Sequence, residues 1–319
     1  VGIAMERKIL NYFEKIDSLK EGNWECPVCL EIDPSSACNL KCFFCTDKVY
    51  LKKNSEFLNF NLYCSLIEEA KELGVKAITF TGGGEPLLHP QFNQMARFAI
   101  YNGFEIGLIT NGLLLNTISD PEIFKFIRIS LDAYDEESYK KIKGKNCFNQ
   151  VVSNIISLAE KEITDVGISY VVCDENISGI EIVRNIFKDT KGIDYIQFKP
   201  VWIDGKIPRN IRENLNIIED KALITERYSN SDSLSCIIAG LIGVIGANGK
   251  VYYCCQHRGE EKFFLGDLKI NSFYEIWKNR KDLVVNTTKC PICRYRNYAA
   301  GYRKFSNPKY KFLKHRNFL

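Results

Sequence analysis

The chain has 319 residues, 45% apolar and 26% charged, a balance that fits a globular core and argues against a disordered chain. A net charge of +4 is too small to argue for nucleic acid, and the longest apolar run, near 241–245, is far too short to cross a bilayer. Thirteen cysteines beside three histidines, with no N-terminal secretion pattern, point to reduced thiols that bind zinc or iron–sulfur clusters rather than to disulfides or haem.

In chain order, residues 1–23 form an amphipathic helix, with Met5, Ile9, Tyr12, Phe13, Ile16 and Leu19 on its apolar side. Cys26-Pro27-Val28-Cys29 has C-x2-C spacing and leads into a strand at 28–33, where Cys29 reads as a core thiol, with a pair of cluster ligands as the other reading. A loop then carries Cys38, Cys42 and Cys45, a C-x3-C-x2-C triplet. Three thiolates are one short of the four that close a zinc or cubane site, so either one metal position stays open or a distant fourth cysteine completes a zinc site. The periodicity then predicts a helix at 61–73, a strand at 76–80 ending in Thr81-Gly82-Gly83-Gly84-Glu85-Pro86, and a helix at 91–101. A strand at 104–109 ends in Thr110-Asn111-Gly112. A further helix leads to a strand at 126–131, with Ser130 and Asp132 at its end. Helices at 135–142 and 148–161, a strand at 165–172, a helix at 176–189 and a strand at 193–199 follow. Six strands with helices between them predict a parallel α/β sheet, and each notable motif sits at a C-terminal strand end, where chemistry gathers in such folds.

At these motifs the chain resembles the radical S-adenosylmethionine (SAM) superfamily over roughly residues 24–200. Cys38-Asn39-Leu40-Lys41-Cys42-Phe43-Phe44-Cys45 matches the family's C-x3-C-x-aromatic-C loop, and Gly83-Gly84-Glu85 its glycine motif. The resemblance implies a partial (β/α)6 TIM-like barrel. It implies that Cys38, Cys42 and Cys45 hold a [4Fe–4S] cluster whose fourth iron binds SAM, and that reductive SAM cleavage gives a 5′-deoxyadenosyl radical. Gly83, Gly84 and Glu85 would hold the methionyl ammonium, and Phe44 would pack near the adenine. Asn111, Ser130 and Asp132 would meet the SAM carboxylate or ribose.

From about 226 the character changes. Cys236 and Cys254 fall in a C-x12-G-x4-C pattern around Ala247-Asn248-Gly249-Lys250, a tight-turn signature that predicts a hairpin. A short helix at 273–279 precedes Cys290-Pro291-Ile292-Cys293. This order resembles the SPASM/twitch extensions of radical SAM enzymes, a small α+β auxiliary-cluster domain. The resemblance implies a second [4Fe–4S] cluster on Cys236, Cys254, Cys290 and Cys293, with a four-cysteine zinc ribbon as the other reading. Cys254 is favoured over its neighbour Cys255 by spacing. The expected domains are therefore 1–23, 24–225 and 226–319. After Asp282 come nine Lys and Arg and no acid, a basic tail strapped over an acidic body or a clamp for a substrate phosphate.

A leader-peptide recognition domain would need a larger insert than the 37 residues before Cys38. The expected function is therefore hydrogen abstraction from a sugar, aminocyclitol or nucleotide-sugar, ending in dehydrogenation or epimerisation. Cys147, Cys173 and Cys255 are the candidate hydrogen donors for the epimerase. The alternatives are a maturase of a ribosomally synthesised peptide and a non-enzymatic zinc-binding adaptor. Expected partners are a small molecule, phosphorylated or nucleotide-linked, and a reductant such as flavodoxin or ferredoxin. No membrane and no nucleic acid is expected, and the expected location is cytoplasmic.

Overall fold

The computed structural model describes residues 9–23, 25–47, 55–201 and 237–282. Their strands form one nine-stranded sheet in the order β6-β5-β4-β3-β2-β1-β7-β8-β9. The first six are β1 (Cys29–Ile32), β2 (Ala77–Phe80), β3 (Glu105–Thr110), β4 (Phe124–Ser130), β5 (Asp165–Val172) and β6 (Ile193–Pro200). All neighbours among them pair in parallel, in chain order, the order expected of a partial (β/α)6 barrel. The sheet is mixed rather than wholly parallel. β7 (Ile242–Ile245) adds in parallel to β1, and β8 (Lys250–Tyr252) and β9 (Phe264–Asp267) continue it antiparallel. The order is linear, with β6 and β9 as its edges, so the described residues form an α/β fold on one mixed sheet with no pairing between its two edges. The boundary expected near 226 lies outside the described residues, as does the basic tail, but the hairpin beyond that boundary joins the same sheet.

Strand alternation gives the sheet two unlike faces. One carries Leu30, Ile32, Ile78, Phe80, Ile106, Leu108, Ile127, Ile129, Val166, Ile168, Tyr170 and Val172, all buried in one apolar cluster. That cluster is covered by α2 (Phe60–Glu72), α3 (Phe92–Tyr101), α4 (Glu136–Lys143), α5 (Phe148–Ala159) and α6 (Ile180–Phe187). The register puts Glu31, Thr79, Arg128, Ser130, Ser169, Gln197 and Lys199 on the other face. Gly107 and Gly167 lie on that face too. An added Cβ would run into the ring of Phe126 at Gly107 and into that of Tyr195 at Gly167, so two aromatic rings close over the sheet there. Toward the strand C-termini the face stays polar.

Two predicted helices differ. No α-helix forms between β3 and β4; two short 3-10 turns, Leu115–Thr117 and Pro121–Ile123, stand in its place. Pro121 donates no backbone hydrogen bond and suits only a first turn. The helix predicted from 176 begins at Ile180, after a 3-10 turn, because Asn176 is drawn out of it: its amide Nδ2 donates to Asp132 O and Val171 O, both at 2.8 Å.

The N-terminal helix, α1 (Phe13–Lys20), packs on the C-terminal region. Ile16, fully buried, sits with Leu241, Val244, Tyr252 and Cys255. The last described helix, α7 (Phe273–Lys278), opens on a Ser272/Glu275 capping box. Its first amides, Phe273 N and Tyr274 N, donate to the carboxylate of Glu69 on α2 at 2.8 and 2.7 Å. No described helix is long and apolar enough to cross a membrane.

Candidate active site

The segment after β1 folds over the C-terminal edge of the sheet. Its backbone is stitched to the end of α4: Lys41 N donates to Lys143 O at 2.9 Å and Phe43 N to Ile142 O at 3.1 Å. These two bonds bracket Cys42, and Cys45 N donates back to Cys42 O at 3.2 Å. Cys38 is exposed; Cys42 and Cys45 are half-buried. The three thiols lie within electrostatic reach of one another. Burial pushes Cys45 up to about 11, with Asp47 adding to the effect, and raises Cys38. Loading a soft metal there would release protons. Among the described residues no three Cys, His, Asp or Glu already stand in metal-holding geometry. The donor set itself, three thiols on one short loop over a polar sheet face, fits an iron–sulfur cluster with one open position. Phe44 packs edge-on to Phe43, with ring centroids 5.2 Å apart, and against the main core.

The glycine loop lies against this segment. Glu85 N donates to Ala37 O at 2.8 Å. A Cβ on Gly84 would collide with Ala37 O and come within 2.7 Å of Ser35 O, so the two backbones touch only because position 84 is glycine. The Glu85 carboxylate is turned inward. It accepts from Thr110 Oγ1 at 2.6 Å, Asn111 N at 2.8 Å and Leu87 N at 3.2 Å. Burial raises its pKa, and those three donors oppose the rise. Asn111 is held too: Nδ2 donates to Asn39 Oδ1 at 2.7 Å and Oδ1 accepts from Leu113 N at 3.0 Å. The cysteine loop, the glycine loop and the end of β3 therefore form one hydrogen-bonded assembly.

Asp132, expected to meet SAM, is 2% exposed and engaged with protein. Oδ1 accepts from Val171 N at 2.7 Å and Oδ2 is ion-paired to the buried Lys143 ammonium. Its φ of +56° is a left-handed conformation. Lys143 Nζ also donates to Ser130 O at 3.0 Å. Burial works against the Lys143 charge, but Asp132 first, then Cys42 and Tyr139, hold its pKa above the ordinary range. Sequence reading missed Lys143 and Asn176, because eleven and forty-four residues separate them from Asp132. Asn39, inside the cysteine motif, was there to be read as a polar hook.

The candidate hydrogen donors lie in three places. Cys147 is the half-buried N-cap residue of α5. Cys173 is buried after β5, with its thiol pushed up to about 12 chiefly by burial. Cys255 is buried in the apolar cluster under α1. Of the expected auxiliary ligands, Cys254 is half-buried between that cluster and a smaller one around Ala239, Tyr253 and Phe263. Cys236, Cys290 and Cys293 lie outside the described residues.

Two family models match. One described as Radical SAM superfamily covers residues 32–185, and one described as SPASM, an iron–sulfur cluster-binding domain, covers 236–295. The chain belongs to the radical SAM superfamily. It is an enzyme of the SAM-cleaving kind, and radical SAM and SPASM domains bind SAM and one or two iron–sulfur clusters. A curated relative, the GTP 3′,8-cyclase of Synechocystis sp., is 29% identical over 72% of this chain and 73% of its own length. Streptococcus suis SuiB bound to S-adenosylmethionine shares the fold with a TM-score of 0.65 at 17% identity, over 86% of this chain and 69% of that one. anSMEcpe with bound AdoMet and Kp18Cys peptide matches with a TM-score of 0.60 at 19% identity, over 90% of this chain and 97% of that one.

These neighbours correct the partner expectation. A small molecule was expected as substrate, nucleic acid was not, and a peptide stood as the alternative. Among the structures that share this fold, SuiB was solved with its precursor peptide SuiA, and anSMEcpe with the Kp18Cys and Cp18Cys peptides. The expectation of a small-molecule partner and no nucleic acid does not stand.

Proposed function

We propose that this radical SAM/SPASM enzyme modifies a peptide, the reading first held as the alternative to sugar or aminocyclitol chemistry. The observation that carries it is the match to peptide-bound anSMEcpe over 97% of that chain and 90% of this one. The argument against a peptide was the lack of room for a leader-binding insert. A neighbour of nearly the same extent was solved with a peptide bound, which removes that argument.

In this reading Cys38, Cys42 and Cys45 ligate the first cluster, and Cys236, Cys254, Cys290 and Cys293 a second, each a [4Fe–4S]. With SAM bound, the first cluster supplies a 5′-deoxyadenosyl radical that abstracts substrate hydrogen. The chain's own residues orient and shield. Gly83 and Gly84 offer backbone without a Cβ in the way. Glu85 serves from behind, fixing Thr110 and Asn111. Phe44 gives an apolar wall. The polar face around Ser169, Gln197 and Lys199, where Lys199 Nζ donates to Ser169 Oγ at 3.0 Å, lies toward the same strand ends and offers hydrogen bonds to a peptide backbone. Thiols kept reduced suit a cytoplasmic setting.

The test uses short peptides encoded beside the gene, made with deuterated side chains. The reconstituted enzyme is incubated with SAM, dithionite and one such peptide. Deuterium in 5′-deoxyadenosine together with a changed peptide mass supports the proposal. Transfer from deuterated GTP, with none from any such peptide, overturns it.

A further inference from the structure

Arg258 follows the 3-10 turn Cys255–His257 in the C-terminal region, and its side chain is nearly fully buried. It runs back toward the first half of the chain. Nε meets Asp33 Oδ2 at 2.5 Å, and Nη1 meets Asp47 Oδ1 at 3.1 Å and Cys255 O at 3.5 Å. Asp33, fully buried, directly follows β1, and its own N–H donates to Ile245 O on β7 at 2.9 Å. Its carboxylate also faces the backbone N–H of Gly83, which opposes the rise in pKa that burial causes. Asp47 stands two residues beyond Cys45. One planar guanidinium thus joins the start of the cysteine segment, its end, and through Asp33 the glycine loop. The turn that presents it is pinned in turn: His257 stacks on Phe263 at 3.7 Å between centroids, and its Nδ1 lies 2.9 Å from Glu260 Oε1.

We infer that Arg258 is a positioning residue through which the C-terminal region holds the cysteine and glycine loops in register. Its consequence for SAM rests on the reading of those loops given above. An ammonium is a point charge and would satisfy one carboxylate; the guanidinium fork reaches both and the carbonyl as well. Cys254 lies four residues before Arg258, so a shift of the C-terminal region reaches the residues around Cys45 and Gly83 through one side chain.

The test is amide hydrogen exchange on the whole 319-residue chain without added iron, comparing wild type with Asp47→Asn, Arg258→Lys and Arg258→Gln. Peptides covering 36–47 and 81–86 should exchange about tenfold faster in Asp47→Asn and Arg258→Gln, with Arg258→Lys between, while α2 keeps wild-type protection. Asp47 is at the rim, so Asp47→Asn decides the matter if Arg258→Gln does not fold. Wild-type exchange at both loops in Asp47→Asn, or acceleration spread equally over α2, overturns the inference. On reconstituted protein, the SAM-induced change in the electron paramagnetic resonance spectrum should need about tenfold more SAM in Asp47→Asn. Absence of that change in wild type counts against the assigned SAM site, and hydrogen exchange still decides the role of Arg258.

Discussion

At the scale of single residues, the site depends on groups whose contacts leave no slack. Gly84 has the backbone of Ser35–Ala37 where a Cβ would go. Gly84→Ala should destabilise the chain by about 1–3 kcal/mol, since overpacking against backbone has little room to relax. Thermal denaturation reads it, and an unchanged Tm would refute the close approach. The Glu85 carboxylate accepts three bonds. Glu85→Gln places an amide NH2 against N–H or O–H donors, a loss of about 1–3 kcal/mol. Lys143 and Asp132 are both buried. Lys143→Met strands the carboxylate and should cost about 3–5 kcal/mol in urea unfolding, whereas Lys143→Met with Asp132→Leu should recover part of that loss. Equal losses for the single and double variants would show that the pair is not coupled.

At the scale of elements, the sequence carried most of the sheet. β1 to β6 are local runs of alternating or apolar residues, and their positions follow from that period. The cysteine and glycine loops were legible from spacing, and their place at strand ends from the β–α alternation. What joins them was not legible. Glu85 to Asn111, Asn111 to Asn39 and Lys143 to Asp132 are side-chain pairs far apart in sequence, with no local pattern to announce them. The polar far face of the sheet was legible only once register told which residues share it. The Cys26/Cys29 spacing resembles a ligand pair, but Cys29 sits in β1 with its pKa pushed up to about 12, chiefly by burial and then by Glu31. The raised pKa favours the thiol over the thiolate in the folded chain, so reactivity is low at pH 8 and grows as pH climbs toward 12. Alkylation of Cys29 at pH 8 should be about a thousandfold slower folded than in urea, where the thiol returns to 9.0. Labelling of Cys29 in the folded chain as fast as in urea would contradict the raised pKa.

At the scale of the whole molecule, the described part of the C-terminal region is built onto the main sheet rather than beside it. β7 lies on β1, Glu69 caps α7, and Trp277 Nε1 donates to Glu25 O at 2.9 Å. Burial of Ile16 beside Cys255 draws the N-terminal helix into the same region. Two clusters on this frame predict about eight irons per chain. Cys254→Ala should bring that to about four and Cys255→Ala should leave it unchanged; stoichiometric zinc beside one cluster would favour the ribbon reading. The central claim is that the loop of Cys38, Cys42 and Cys45 is where SAM is cleaved. The measurement that tests it most directly is 5′-deoxyadenosine formed by anaerobically reconstituted protein with SAM and dithionite. Wild type should form it and Cys42→Ala should not, with both folded by thermal denaturation. Equal formation by Cys42→Ala would contradict the account.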